Sequence, residues 1–345
     1  MKGIINFGLV GCGRISKNHV EALAKFTEDA RLVAVCDVNA EKAKKTGEQY
    51  AADYYTNLDD MLSRGDLDAI SICTPSGLHP MHGIAAAKKK LHVITEKPMA
   101  TSLKKADELI SACDENGVQL FVVKQNRLNS TLQLVKRAID KGRFGRIYMV
   151  IVNVLWARPQ SYYDDAKWRG TWEFDGGAFM NQASHYVDMI EWLIGPVESV
   201  SAFTGTLARK IETEDSGVAA IKFRNGAFGS INVTMLTYPK NLEGSLTIIG
   251  ETGTVRVGGI AVNKIEHWEF QDYDDDDKLV GTSTYNPPNV YGFGHTGYYK
   301  NVIDTLKGTA DPDTDGREGR KSLELILGIY KAAREGRSIP LPLEY

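Results

Sequence analysis

A short apolar run, Ile4-Ile5-Asn6-Phe7-Gly8-Leu9-Val10, breaks directly into Gly11-Cys12-Gly13-Arg14-Ile15-Ser16, and a second apolar run from Arg31 to Cys36 ends on Asp37. Between them, Ser16 to Phe26 has the makings of a helix. Strand, glycine turn, helix and strand in this order form a βαβ unit, and a chain that begins so is committed to a parallel sheet. Gly11 permits the tight turn off the strand, and Gly13 leaves no Cβ where a pyrophosphate must approach the backbone. Arg14 and Ile15 complete the turn and count with it as cofactor-binding positions. Asp37 stands about 20 residues past the turn, where an acid accepts from a ribose 2′-hydroxyl and repels a 2′-phosphate, so NAD is expected over NADP. Ser16 holds the third position, where Gly or Ala is commoner, and is small enough to keep helix and strand close.

Strand and helix patterns then alternate as far as Lys124. Ala69 to Cys73 is a buried strand running into Thr74-Pro75-Ser76-Gly77-Leu78-His79, a loop at the carboxyl edge of the sheet where ligands of doubly wound folds sit. Thr74, Pro75 and His79 are therefore cofactor-binding candidates. His92 to Glu96 is the next strand and runs into Glu96-Lys97-Pro98. A charged pair there leaves the sheet for the cleft beyond it; it is either a solvated loop with a proline helix start or a site lysine, tuned by partial burial to move a proton. Lys124 to Arg127 is a natural crossing point, giving a doubly wound α/β domain over 1–124 and a second domain over 125–345.

At 345 residues two domains are expected, and a net charge of −3 offers no basic surface for nucleic acid. No apolar stretch approaches a membrane span of about 18 residues. The four cysteines, Cys12, Cys36, Cys73 and Cys113, lack metal-ligand spacing and read as buried small hydrophobes, so neither a metal nor disulfides are expected, and the location is expected to be cytoplasmic.

In the second domain the period changes from helical to two. Ile147–Trp156, Val197–Leu207, Val218–Phe223, Phe228–Leu236, Ser245–Ile249, Thr254–Val257 and Lys264–Phe270 read as strands of a large open, mostly antiparallel sheet in an α+β domain. An open sheet has a face to cover, commonly by a second subunit, so a homo-oligomer, dimer or tetramer, is expected. Between the first two strands lies a basic and aromatic loop with Arg158, Tyr163, Lys167, Trp168 and Arg169. It leads to Gly176-Gly177-Ala178-Phe179-Met180-Asn181-Gln182-Ala183-Ser184-His185. The glycine pair is read as opening a helix with Asn181 and His185 on one face at i and i+4. Asp272 to Asp277 reads as a solvated hairpin tip, 291–299 as a loop carrying the substrate candidate His295, and 320–334 as an amphipathic packing helix.

Together the glycine turn, Asp37, the Thr74-Pro75 loop before His79, Glu96-Lys97-Pro98 and Gly176-Gly177…His185 resemble the glucose-fructose oxidoreductase / inositol dehydrogenase (Gfo/Idh/MocA) family over nearly the whole chain. The resemblance implies Lys97 at the catalytic centre beside the nicotinamide, in a peptide bond to Pro98 that is often cis, and Glu96 near the nicotinamide ribose. The sequence departs from the family at Ser76, where asparagine is frequent, and at Asn181, where many members have aspartate. An amide cannot take a proton at neutral pH, so the base is His185 or Lys97. The run from Phe179 to Asp188, followed by Glu191 to Pro196, is similar to the branch that oxidises UDP-N-acetylglucosaminuronic acid at C3 for bacterial diacetamido-uronic acid synthesis. Arg158, Lys167 and Arg169 suit the anions of such a nucleotide sugar, Tyr163 or Trp168 a stacked uracil, and Asn181 and His295 the sugar. The same resemblance implies reoxidation of NADH by 2-oxoglutarate. Three other readings stay open: an inositol or free-sugar dehydrogenase, an NAD-dependent glycosidase and a non-catalytic dinucleotide sensor.

Overall fold

The computed structural model describes residues 3–286 and 292–344; Tyr291, at the head of the 291–299 loop, lies outside them. The chain forms two compact units, one of residues 1–124 and 295–320, the other of 125–294 and 321–345. The first unit is thus discontinuous in sequence, which local periodicity does not reveal.

In the first unit six strands, β1 (Ile5–Val10), β2 (Ala30–Cys36), β3 (Asp53–Tyr55), β4 (Ala69–Ile72), β5 (His92–Thr95) and β6 (Leu120–Val122), pair in the order β3-β2-β1-β4-β5-β6. All pairs are parallel. Every residue of β4 is buried, as expected for a strand covered on both faces, and this is why it reads as an unbroken apolar run. The order in which strands are added to the sheet reverses between β1 and β4, and the crevice beyond the carboxyl ends of these strands is where such sheets bind ligands. Local signals set the helix ends: Asn39 caps Ala40–Tyr50 by accepting from Lys42 N at 3.0 Å, and Gly117, at φ +64°, ends Leu103–Asn116.

The second unit is built on an eight-stranded sheet of β7 (Ile147–Leu155), β8 (Val197–Gly205), β9 (Ser216–Phe223), β10 (Phe228–Thr234), β11 (Glu243–Gly250), β12 (Gly253–Gly258), β13 (Lys264–Phe270) and β14 (Ile339–Pro340), ordered β13-β12-β11-β7-β10-β9-β8-β14. All neighbours are antiparallel except β7 and β10. Burial alternates along the strands: Val150, Val152 and Val154 of β7 are buried, and helix Ser184–Ile194 packs on that strand.

The acidic run is not a solvated hairpin tip. Asp274 caps a turn of 3₁₀ helix at Asp275–Leu279, Arg143 grips both oxygens of Asp277 at 2.6 and 2.9 Å, and Lys141 reaches Asp274 and Asp276. Arg143 also lies over the Phe270 ring, 4.1 Å from its centroid. A like-charged run can fold against the protein when cations meet it, and a helix N-terminus favours carboxylates.

Candidate active site

In the first unit, the glycine turn leaves β1 at Gly11, whose φ is +93° and whose Cβ, if it had one, would sit 2.6 Å from Cys73 O. Gly13 differs: a Cβ there would meet nothing within 4 Å. Among the described residues nothing requires a glycine at that position, so the open space suits a group from outside approaching the backbone. A cavity of about 440 Å³ lies beside it, lined among others by Gly13, Arg14, Ser16, Lys42 and Lys45. Ser16 donates to Gly13 O at 2.6 Å and closes the turn; Ile15 packs on the core cluster of Leu9, Val20 and Val35. Asp37 is held in place by Cys12 N on Oδ2 and Asn39 N on Oδ1, both at 2.8 Å. An open glycine, a cation-lined cavity and a fixed acid at the ribose position fit NAD.

At the carboxyl end of β5, Glu96 is buried, Lys97 partly exposed, and the Lys97–Pro98 bond cis. Glu96 Oε2 accepts from Lys97 N at 3.1 Å, while Oε1 faces His19 Nε2 at 2.9 Å. His19 Nδ1 meets Tyr299 Oη at 2.8 Å, and that hydroxyl meets Ser71 Oγ at 2.6 Å. His295 belongs to this unit, buried with its Nε2 3.7 Å from Glu96 Oε1 and its ring edge-on to His19. Burial alone would raise the Glu96 pKa, but His19 and His295 hold the carboxyl well below its ordinary range. His19, Glu96 and His295 also form a potential metal triad, with donor atoms within 4.8 Å of one another, though the His19 ring is already spent on Tyr299 and Glu96. His79 ties the Thr74-Pro75 loop to the Glu-Lys-Pro corner, its ring nitrogens 2.8 Å from Thr74 O and Pro98 O. Burial lowers its pKa, and the neutral ring donates to one of the two carbonyls at a time.

In the second unit, the glycine pair does not open a helix. Residues 178–182 form a turn, the helix begins at Ser184, and Asn181 therefore lies outside the helix that carries His185. The turn is held by tertiary contacts. Four successive amides are captured by two residues remote in sequence: Gly177 N and Met180 N donate to Tyr330 Oη at 3.2 and 3.1 Å, Ala178 N to Glu214 O at 3.1 Å and Phe179 N to Glu214 Oε1 at 2.9 Å. These are the four amides that a helix opened at Gly177 would leave free, and Asn181 N does return to Gly177 O at 2.9 Å; the α pattern stops there, because Ala183 N bonds Ala178 O, five residues back, at 2.8 Å. Asn181 Nδ2 donates to the Asp175 carboxylate, and His185, buried on its helix, faces Gln125 Nε2 at 3.2 Å. One turn along the same helix, Asp188 takes two 2.7 Å hydrogen bonds from Arg127.

The basic loop gathers as its composition suggests, with one change of part. A cavity of about 380 Å³ is lined by Tyr163, Lys167, Arg169, Lys210 and Glu212 among others. Tyr163 is itself buried, edge-on to Tyr162, so its ring is not a free stacking surface. Both guanidinium groups lie over the Tyr162 ring, 4.2 Å for Arg169 and 5.5 Å for Arg158, while Arg158 is also 5.2 Å from the Trp156 ring and Arg169 5.8 Å from that of Trp168. Arg158 also donates to Ala157 O, and Arg169 to Tyr162 O; Lys167 is exposed and Trp168 half-buried. The sequence reading passed over His19, Gln125, Tyr162, Glu214 and Tyr299 as site residues and took Tyr330 for helix packing; of these Gln125, Tyr162 and Tyr299, in stretches already singled out, carried a local signal.

Known proteins bear on both units. The description "Oxidoreductase family, NAD-binding Rossmann fold" (GFO_IDH_MocA) matches residues 5–124, and its companion C-terminal alpha/beta domain matches residues 136–342. The chain is 59% identical to the WlbA dehydrogenase of Bordetella pertussis, solved in complex with NADH and UDP-GlcNAcA, with a TM-score of 0.97 over 100% of this chain and 99% of that one. It is 57% identical to the WlbA dehydrogenase of Chromobacterium violaceum, solved with the same two ligands, with a TM-score of 0.96 over 100% and 98%. An inositol 2-dehydrogenase of Rhizobium meliloti is 30% identical over 98% of this chain and 99% of its own length.

Proposed function

The chain belongs to the Gfo/Idh/MocA family of NAD-dependent oxidoreductases, and from that premise we propose that it oxidises the C3 hydroxyl of UDP-N-acetyl-D-glucosaminuronic acid to the 3-keto sugar. The observation that carries this reading is the full-length likeness to two dehydrogenases solved with both NADH and that nucleotide sugar. NAD, when bound, accepts the hydride from C3. Gly11, Gly13 and Arg14 form the turn that receives its diphosphate, and Asp37 its adenosine ribose. Either Lys97 or His185 takes the hydroxyl proton, and the other hydrogen-bonds the same oxygen. Asn181, turned by Asp175, orients the sugar; Arg158, Lys167 and Arg169 meet its anionic groups.

The product is a ketone next to an acetamido carbon, suited to amino transfer in a cytoplasmic route to diacetamido-uronic acids of the bacterial surface. In the same proposal the enzyme is a homo-oligomer, dimer or tetramer, and 2-oxoglutarate reoxidises NADH in place. Among the described residues no helix is long and apolar enough to cross a membrane.

The deciding experiment follows the near-ultraviolet absorbance of reduced nicotinamide when UDP-N-acetylglucosaminuronic acid, then 2-oxoglutarate, is added to purified protein carrying NAD. A rise and then a fall is expected. A rise that persists removes the recycling step; no rise with NAD bound overturns the substrate assignment, and release of a free sugar without net NADH identifies a glycosidase.

A further inference from the structure

We infer that Glu214 and Tyr330 are positioning residues for the substrate side of the reaction, acting as a two-residue clamp that sets the loop carrying Asn181 into His185. The inference rests on the dehydrogenase reading above. Neither residue belongs to the loop: Glu214 precedes β9, and Tyr330 lies on helix Gly316–Glu335.

The clamp is specific in its chemistry. Tyr330 Oη accepts from Gly177 N and Met180 N and lies 2.9 Å from Glu214 Oε1, so its own hydrogen goes to the carboxyl group. Glu214 Oε1 then accepts twice, from Tyr330 and from Phe179 N, and Glu214 O takes Ala178 N. The first turn of a helix leaves four N–H groups without intrahelical partners, and the four amides at 177–180 open a single turn of this kind whose free N–H groups the two residues hold. Gly177 makes the grip possible, because a Cβ there would lie 1.5 Å from Glu214 Oε2. The glycine pair thus has two reasons: Gly176 for its φ of +78° and Gly177 for the carboxyl group that occupies its side-chain space. Just past the clamp, Asn181 N returns to Gly177 O at 2.9 Å and Asn181 Nδ2 turns to Asp175. The direction in which the loop delivers Asn181 and enters the helix of His185 follows from these bonds.

The test is amide hydrogen exchange at residues 177–180 together with steady-state kinetics, on the full-length protein and on Tyr330→Phe, Glu214→Gln and Glu214→Ala. Tyr330→Phe keeps the ring that packs edge-on to Trp172 at 5.2 Å and removes only the hydroxyl. It should free the Gly177 and Met180 amides and lower kcat/KM for the nucleotide sugar about 10-fold or more, with the KM for NAD unchanged. Glu214→Gln retains an acceptor for Phe179 N and should rescue most of what Glu214→Ala loses in both readouts. Amides at 177–180 that exchange freely in the wild type overturn the clamp, whatever the substrate. Freed amides with an unchanged kcat/KM for the sugar overturn the positioning role, as does equal loss of NAD and sugar affinity. A wild type that protects these amides and does not oxidise the nucleotide sugar overturns the substrate reading and leaves the clamp standing.

Discussion

His19 Nε2 lies 2.9 Å from Glu96 Oε1, which ties the helix after the dinucleotide turn to the corner that presents Lys97. Glu96 is buried, and its pKa is held well below the usual range by His19 and His295 against the pull of burial. A carboxyl whose folded pKa is depressed adds stability that is present above its unfolded pKa and lost as pH falls towards the folded one. Thermal midpoints of the wild type should therefore drop as pH falls through and below the ordinary glutamate range. In Glu96→Gln that part of the drop should be missing, with a lower midpoint at neutral pH. Equal acid slopes for the two proteins would refute the assignment.

Glu214 should show the opposite sign. Burial, with the Asp175 charge adding to it, pushes its carboxyl up to about 7 despite the hydrogen bonds from Phe179 N and Tyr330. Its Oε2 has no hydrogen-bond partner among the described residues, so an ionised carboxylate is poorly met there. The stability gained by keeping this group protonated is fully present below an ordinary value of 4.5 and is lost as pH rises through about 7. The loss is roughly 3 kcal/mol when complete. Denaturant titrations from acid to mildly alkaline pH should find Glu214→Gln flatter than the wild type, gaining on it as pH rises.

Two glycines of the candidate site should respond differently to one methyl group. A Cβ at Gly13 meets none of the described residues within 4 Å, so Gly13→Ala should fold with a change of at most about 0.5 kcal/mol and still lose NAD, with Kd rising about 10-fold or more. A Cβ at Gly177 collides with Glu214 at 1.5 Å, so Gly177→Ala should lose stability and sugar turnover together while NAD binding persists. Fluorescence titration with NADH and thermal melts separate the two. A Gly13→Ala protein with normal NAD affinity would remove the reason given for that glycine.

The contrast between these glycines also shows what was legible in the chain. Five strands of the six-stranded unit could be read because they are apolar and largely buried and the turn chemistry is local, with Gly11, Gly13 and Asp37 all within 37 residues; β3, short and exposed at the sheet edge, gave no such signal. Seven strands of the second sheet could be read because burial alternates along them, while β14, two residues long, could not. The 176–183 loop could not: its conformation is decided by Glu214, 35 residues from Phe179, and by Tyr330, 153 residues from Gly177. The acidic run failed for the same reason, since Arg137 and Lys141 stand 133 to 139 residues before the carboxylates they meet. His295, read as a substrate contact on the second domain, belongs to the first unit, where it is buried against Glu96 and His19.

Arg127 and Asp188 fix the helix of His185 by a buried bidentate pair, with both hydrogen bonds at 2.7 Å and the guanidinium 5.4 Å from the Trp192 ring centroid. Removing one partner strands a buried charge, so Asp188→Leu or Arg127→Leu should cost about 3–5 kcal/mol in denaturant unfolding. The double Leu variant should recover a large part of that loss. Additive losses in the double variant would show that the pair does not act as a unit.

In the proposed reaction the base is Lys97 or His185, and substitution decides between them. Lys97 is partly exposed at the end of β5, and His185 stands on a helix whose position Arg127 and Asp188 secure, so Lys97→Ala and His185→Asn should both fold. General-base catalysis contributes about 10²–10⁴-fold, so loss of the base should lower kcat by that much and abolish the acidic limb of the pH–rate profile. Loss of the residue that only hydrogen-bonds the hydroxyl should lower kcat less and leave that limb in place. Circular dichroism and NADH titration establish that each variant is folded and holds cofactor before rates are compared. A folded variant of either residue with near-normal turnover excludes that residue as the base.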